Sequence, residues 1–449
     1  MPQEEIIDNP NELLEAINSL HPSDIANSLK RIEKNSIDDF FFILRNLPDE
    51  TLGEVLLELP DSLRENAYEE LSTSQLTDAV EELESDDQTD IIQEIEDYDT
   101  QKARKIYEGL QEEDQKEIDW LKKYEEQEAG AYMQTELFSA AITETIGSSI
   151  ERLKIAKDED ELDNIHQVFI VDEKGILLAS IFLEDLIIYN FDKTYEQLLK
   201  EHPDNFEPFK VDDDEDIDKV AKMFERYDLS AVAVIGYQGM LMGRITSDDI
   251  LDVIEENATE QIYQLAGVND DFEHEDNLFT TAKKRAAWLF LNLGTAILAS
   301  LVIGMFDETI ESYVALAILM PIVASMGGNA GTQTLAVMVR QLALGDIELD
   351  GAKHAIKKEV VISILNGLLF AFLIGIIAWM WFEVALLGLV IALSMIINLF
   401  SAGFFGASIP LVLKKLDVDP AIGSTVLLTT VTDIVGFFSF LMLAKVILL

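Results

Sequence analysis

No cysteine occurs among the 449 residues, so disulfides and thiolate metal sites are excluded, and the five histidines form no ligand-spaced pair. Basic residues are scarce: 32 Lys and Arg stand against 84 Asp and Glu, a net charge of -52. A field of that sign disfavours nucleic acid and anionic lipid and concentrates cations. A solvated surface suited to high salt would show the same excess. The amino-terminal run MPQEEIIDNP has neither a basic stretch nor an apolar core, so no cleaved signal peptide is expected. The glycine cluster at 327–331 lacks the Gly-Lys-Thr ending of a phosphate loop, so an ATPase reading fails and no enzyme is expected.

What is present is unevenly distributed. From Asp271 to Leu449 there are 10 basic and 15 acidic side chains, and the 270 residues before them hold 22 basic and 69 acidic. Nearly all long apolar runs lie in the second part, which argues for a soluble region joined to a membrane region. Five stretches, 286–306, 313–341, 359–382, 384–413 and 420–448, reach the ~20 residues a helix needs to cross a bilayer. Lys283, Lys284 and Arg285 precede the first. Arg340, Lys353, Lys357 and Lys358 lie between the second and third, and Lys414 and Lys415 between the fourth and fifth. The other two loops hold Asp307, Glu308, Glu311 and Glu383 with no basic residue, which places the amino terminus in the cytoplasm and the carboxyl terminus outside.

The soluble part has two textures. Residues 43–95 repeat with a period of twelve: Ile43-Leu44-Leu47, Val55-Leu56-Leu59, Ala67-Tyr68-Leu71, Ala79-Val80-Leu83, Ile91-Ile92-Ile95. Pro48, Pro60 and Ser72 follow three of these units, and proline in a first turn or serine at an N-cap makes each unit a short helix stacked on its neighbours. A helical superhelix is the expected result. From about residue 137 short strands alternate with helices, clearest in the helix 216–227, the strand 231–235, the turn 236–239 and the strand 241–245. Thr246 is placed to cap the helix that follows.

One carboxylate stands inside the last apolar stretch. Asp433 has no Lys or Arg between Lys415 and Lys445 to pair with, and such a group costs about 2.5–3.5 kcal/mol to insert at bilayer depth. It either lines a wet path for a cation or is a neutral acid bonded to Thr429 or Thr430. In the second stretch, Met-Pro-Ile-Val-Ala-Ser-Met-Gly-Gly-Asn-Ala-Gly-Thr-Gln-Thr (320–334) mixes glycines with amides and hydroxyls. That mixture suits backbone carbonyls facing a cavity, where glycine alone would suit a packing face.

Two resemblances follow from these residues. The strand-and-helix copies are similar to a tandem CBS module, in which Thr246 and Asp249 would bind the ribose of an adenine nucleotide, ATP being the candidate; Phe182 replaces the hydroxyl in the first copy. The order superhelix, CBS pair, connecting helix and five spans, with Gly-Gly-Asn-Ala-Gly-Thr-Gln and Thr-Thr-Val-Thr-Asp, resembles the MgtE family of bacterial magnesium channels across essentially the full chain. The fold class this implies is a multidomain membrane protein: an α-helical superhelix (1–130), an α/β tandem CBS pair (131–200 and 201–256), a connecting helix (257–280) and a five-helix transmembrane domain (281–449). The resemblance implies a homodimer in the cytoplasmic membrane, surrounded by lipid, with a pore between the two membrane domains. Asp433 is then the selectivity carboxylate, with Asn329 and the Gly328 backbone beside it.

The resemblance also implies regulatory Mg²⁺ between the cytoplasmic parts. Its candidate ligands are Asp216, Asp218, Asp228, Asp249, Asp252, Glu260 and Asp419, while Asn257 and Gln261 stand where further acids are expected. The function implied is a Mg²⁺-selective channel or transporter closed by cytoplasmic Mg²⁺. Two alternatives stay open: a proton-coupled carrier of another divalent metal such as Co²⁺, and a CBS-bearing membrane sensor that conducts nothing.

Overall fold

The computed structural model describes residues 6–158, 162, 164–203, 205–267, 278–344, 347, 351–416, 418–421 and 423–449. It forms two compact units, Met1–Glu255 and Glu256–Leu449.

Among the described residues the first unit begins with nine short helices: α1 (Pro10–Ala16), α2 (Pro22–Asn35), α3 (Ile37–Leu44), α4 (Asp49–Leu57), α5 (Asp61–Glu70), α6 (Thr73–Glu81), α7 (Ser85–Tyr98), α8 (Thr100–Tyr107) and α9 (Glu112–Leu121). The twelve-residue repeat marks their core: all fifteen of its apolar positions from Ile43 to Ile95 are buried in one cluster. Each turn buries two or three apolar side chains and leaves acids on its outer face, so no single helix is stable without its neighbours. The helix starts differ from expectation in one detail. Pro48 and Pro60 occupy the N-cap positions of α4 and α5, not their first turns, and Ser72 closes a capping box with Gln75 on α6.

Two three-stranded sheets follow, each with a parallel pair and an antiparallel pair. The first is β1 (Ser139–Ala141), β2 (Gln167–Val171) and β3 (Leu177–Phe182); the second is β4 (Lys210–Asp212), β5 (Ala231–Ile235) and β6 (Leu241–Thr246). The helices between them are α10 (Ile146–Asp158), α11 (Leu183–Leu186), α12 (Tyr195–Glu201) and α13 (Ile217–Tyr227). Matching topology in consecutive copies is the tandem CBS architecture. Met133 lies against β6: a Cβ on Gly243 would stand 2.2 Å from Met133 Cγ and 2.5 Å from the Gln134 carbonyl oxygen. Gly243→Ala is therefore expected to destabilise the soluble unit by about 1–3 kcal/mol, as overpacking does, read as a lowered thermal midpoint of the full chain in detergent. An unchanged midpoint would refute that close packing.

The helix α14 (Ser247–Ala266) follows β6, and its residues from Glu256 onward belong to the second unit. It is one continuous helix through 256/257, the expected boundary between the CBS pair and a connecting helix, which falls at the junction of the two units; residues 268–277 of the expected connecting helix lie outside the described residues. Then come α15 (Leu278–Gly304), the short α16 (Asp307–Ser312), α17 (Val314–Ala343), α18 (Ala352–Phe382), α19 (Ala385–Lys415) and α20 (Ser424–Leu448). Five of these are long and apolar enough to cross a membrane. The third begins earlier than its apolar run, so Lys353, Lys357 and Lys358 sit in its first turns and not in a loop. Helix α19 is the most enclosed, with α17, α18 and α20 around it. The end of α14 is tied to this bundle: Thr425 Oγ1 donates to the Leu265 carbonyl at 2.9 Å, satisfying an orphan carbonyl of the last turn.

Candidate functional site

The membrane residues lie on two helices in contact. Gly331 of α17 meets Leu428 of α20, where a Cβ on the glycine would be 3.0 Å from the leucine methyls. Asp433 lies further along α20 and is half-buried. Thr429 Oγ1 donates to the carbonyls of Thr425 (2.9 Å) and Val426 (3.1 Å), and Thr430 Oγ1 to Val426 (2.6 Å). Both hydroxyls donate within their own helix, and no hydrogen bond joins either of them to Asp433 among the described residues. Among the described residues Asp433 has neither a hydrogen bond nor an ion pair.

On α17, alternate positions face opposite ways. Gly327 and Gly331 are buried in the bundle, whereas a Cβ on Gly328 would meet nothing within 4 Å and Asn329 is exposed. Asn329 Nδ2 reaches Ser325 Oγ at 3.4 Å, a long contact. Gly328 and Asn329 therefore present a backbone and an amide on the open side of a single chain's bundle.

The soluble unit holds a second concentration of carboxylates. Helix α7 brings Glu84 at its N-cap and Asp86, Asp87 and Asp90 beyond it toward Asp249 of α14. Burial, followed by repulsion from neighbouring acids, raises each of them. Asp86 is pushed well up, Asp87 to about 8, Asp90 to about 7 and Asp249 to about 6. Glu84 is lifted by burial to about 7, opposed by Arg244, whose guanidinium lies 3.4 Å away. Asp252 is raised by burial and by Glu58, Glu255 and Asp248. The junction is stitched by Ser85, whose hydroxyl accepts from the Thr135 amide (2.9 Å) and donates to Glu136 (2.9 Å).

Several carboxylates in a poorly solvated pocket with one guanidinium beside them form an all-oxygen donor set, the type that hard divalent ions take. Among the described residues no three Asp, Glu or His side chains form a ready-made cage. Mg²⁺ is commonly held through one or two carboxylates and its own waters, so the donor set fits it without such a cage.

The other expected ligands are dispersed. Asp216 is the N-cap of α13, and Asp228 its left-handed C-cap (φ 51°). With eleven helical residues between them, those ends lie about 18 Å apart along the helix, so a single ion cannot touch both. Asp216 pairs across a bridge with Glu128 at the end of the superhelix, and Asp218 is in the first turn of α13. Glu260 accepts from Gln264 Nε2 on α14, and Asp419 Oδ1 accepts from the Ala421 amide at 2.6 Å in the loop before α20. Thr246 directly precedes α14: its hydroxyl donates to Asp249 (2.7 Å) and Asp248, and the Asp249 carboxylate accepts from the Thr246 amide at 3.2 Å. The acids of α7 carry no mark of this approach in the sequence: the run Glu84-Ser-Asp-Asp sits at a helix start, where the dipole favours acids whatever they face.

Known proteins resemble the chain over these same parts. The family model of a divalent cation transporter, MgtE, matches residues 320–443, that of the MgtE intracellular N domain residues 20–127, and that of the CBS domain residues 204–256. The magnesium transporter MgtE of Thermus thermophilus is 31% identical over 335 residues, covering 74% of this chain and 72% of that protein. The magnesium transporter MgtE of Enterococcus faecalis is 33% identical over 333 residues, covering 73% and 71%. The crystal structure of the cytosolic domain of the Mg²⁺ channel MgtE in complex with ATP is 26% identical, covers 55% of this chain and 95% of its own, and has a TM-score of 0.49.

Proposed function

The chain belongs to the MgtE family, and from that premise we propose that it passes Mg²⁺ across the cytoplasmic membrane along a path lined by Asp433. The observation that carries this reading is a half-buried carboxylate in a membrane helix whose neighbouring hydroxyls are bonded elsewhere. A charge in that position needs a counter-ion, and a transported cation supplies one. Two copies of the chain would contribute one Asp433 each, with the outward Asn329 amide and Gly328 backbone completing the lining toward the second copy. Mg²⁺ sheds water reluctantly, so few carboxylates with carbonyls and amides around a retained water shell suit it, and the site must bind weakly enough to release its ion. The basic flanks place the amino terminus and the soluble unit in the cytoplasm.

The soluble carboxylates act as the regulator. Glu84, Asp86, Asp87 and Asp90 repel Asp249 and Asp252, and neutralising them by bound Mg²⁺ holds the superhelix against the CBS pair. Asp249 is the pivotal member because it also lies on α14, the helix whose last turn is bonded to Thr425 at the start of α20. Asp216, Asp218, Asp228, Glu260 and Asp419 remain proposed ligands of further regulatory ions. Adenine nucleotide is proposed as a modulator at Thr246 and Asp249. It would displace their mutual hydrogen bond, so Asp249→Ala should lose ATP binding measured by calorimetry, and unchanged binding would place any nucleotide elsewhere.

Growth rescue of a bacterial strain that lacks its own Mg²⁺ uptake tests the transport reading. Rescue is the expected result. A full-length chain present in the membrane that gives none would overturn it.

A further inference from the structure

Helix α19 is the buried centre of the bundle, and one fully buried residue interrupts its apolar run with a side-chain amide: Asn398. Its Nδ2 donates to the Val323 carbonyl of α17 at 2.7 Å, while its Oδ1 is buried with no hydrogen-bond partner. The amide lies between glycines of two other helices. A Cβ on Gly327 of α17 would stand 2.3 Å from Nδ2, and one on Gly436 of α20 would stand 2.9 Å from it. Both helices can therefore approach α19 at this level only without side chains there.

Those two glycines adjoin the groups assigned to the path. Gly327 precedes Gly328 and Asn329, and Gly436 follows Asp433 by three residues, just under one turn. An amide oxygen left unpaired away from water is unfavourable, and an apolar side chain would avoid that penalty. The amide therefore serves placement more than stability. We propose that Asn398 is a positioning residue for permeation: wedged between Gly327 and Gly436 and anchored on the Val323 carbonyl, it sets the separation of α17 and α20 at the level of Asp433. The inference rests on the permeation reading above. It adds a residue that touches neither the proposed path nor the ion.

The test is Mg²⁺ and Ca²⁺ uptake into proteoliposomes holding the full chain, with Gly327→Ala, Asn398→Ala and the double variant. Asn398→Ala should lose Mg²⁺ uptake about tenfold, the scale of a broken buried hydrogen bond, and change the Mg²⁺ to Ca²⁺ uptake ratio. A merely structural residue would change the midpoint and not the ratio. Gly327→Ala should lose more uptake than Asn398→Ala, because its methyl strikes the amide. Adding Asn398→Ala to it should recover part of the loss, since the shorter side chain vacates that space. Losses that simply add in the double variant would overturn the proposal, and this comparison holds even if Asn398→Ala alone folds poorly. Wild-type uptake and ratio in Asn398→Ala would also overturn it while leaving the permeation reading intact. A wild-type chain without Mg²⁺ uptake would overturn both.

Discussion

Asp433→Ala is expected to abolish rescue of the Mg²⁺-uptake-deficient strain, with uptake lowered by about a hundredfold or more, equivalent to about 2.7 kcal/mol. The size follows from the setting. The carboxylate has no hydrogen bond or ion pair among the described residues, so nothing else in its own helix replaces its charge when it is removed. Asp433→Asn keeps the volume and loses the charge, and it should fail equally if neutralisation of the cation is what matters. The folded bundle should tolerate both, because an unpaired carboxylate at bilayer depth destabilises and does not support it. Rescue that survives Asp433→Ala would favour a membrane sensor that carries no ion.

The second large effect concerns the soluble unit. Mg²⁺ is expected to protect it from proteolysis, with Asp249→Ala and Asp87→Asn each weakening the protection; equal cleavage with and without Mg²⁺ would count against a regulatory site. The pH dependence has a definite sign. Carboxyls raised by folding contribute most when protonated, so their contribution is complete below the ordinary value near 4 and is lost as pH climbs through the raised values of about 6 to 8. Without Mg²⁺, the thermal midpoint of the soluble unit should fall between pH 6 and pH 8. With saturating Mg²⁺ the fall should largely vanish, because the ion binds the deprotonated carboxylates and releases their protons. A midpoint with the same pH slope in both conditions would show that these acids do not form the binding pocket.

Local patterns were the legible part of this molecule. The twelve-residue period located all fifteen buried positions between Ile43 and Ile95 because each short helix repeats the same inward pair. The short runs at 231–235 and 241–245 on either side of a glycine-bounded turn located β5 and β6, and the long apolar runs located five long helices. Long-range approach was not legible. Asp249 meets Asp86 and Asp87 across more than 160 residues, and nothing in the local sequence of α7 distinguishes those acids from the many solvated ones. The prolines marked helix starts one position early because the fixed proline φ serves the N-cap as well as the first turn. The boundary at 256/257 lies inside the continuous α14, where the CBS-domain match ends and the two units join. Asn398 went unnoticed within an apolar run, although Ser394, Asn398 and Ser401 recur at helical spacing on one face and form a polar seam that could have indicated it.

One measurement joins the single carboxylate in the membrane to the many outside it: Mg²⁺ current across a bilayer containing the full chain, recorded while Mg²⁺ is varied on the side facing the soluble unit. The account predicts current that falls as Mg²⁺ rises on that side, is absent in Asp433→Ala, and persists at higher Mg²⁺ in Asp249→Ala. Current that persists in Asp433→Ala, or that ignores Mg²⁺ on the soluble side, would contradict it.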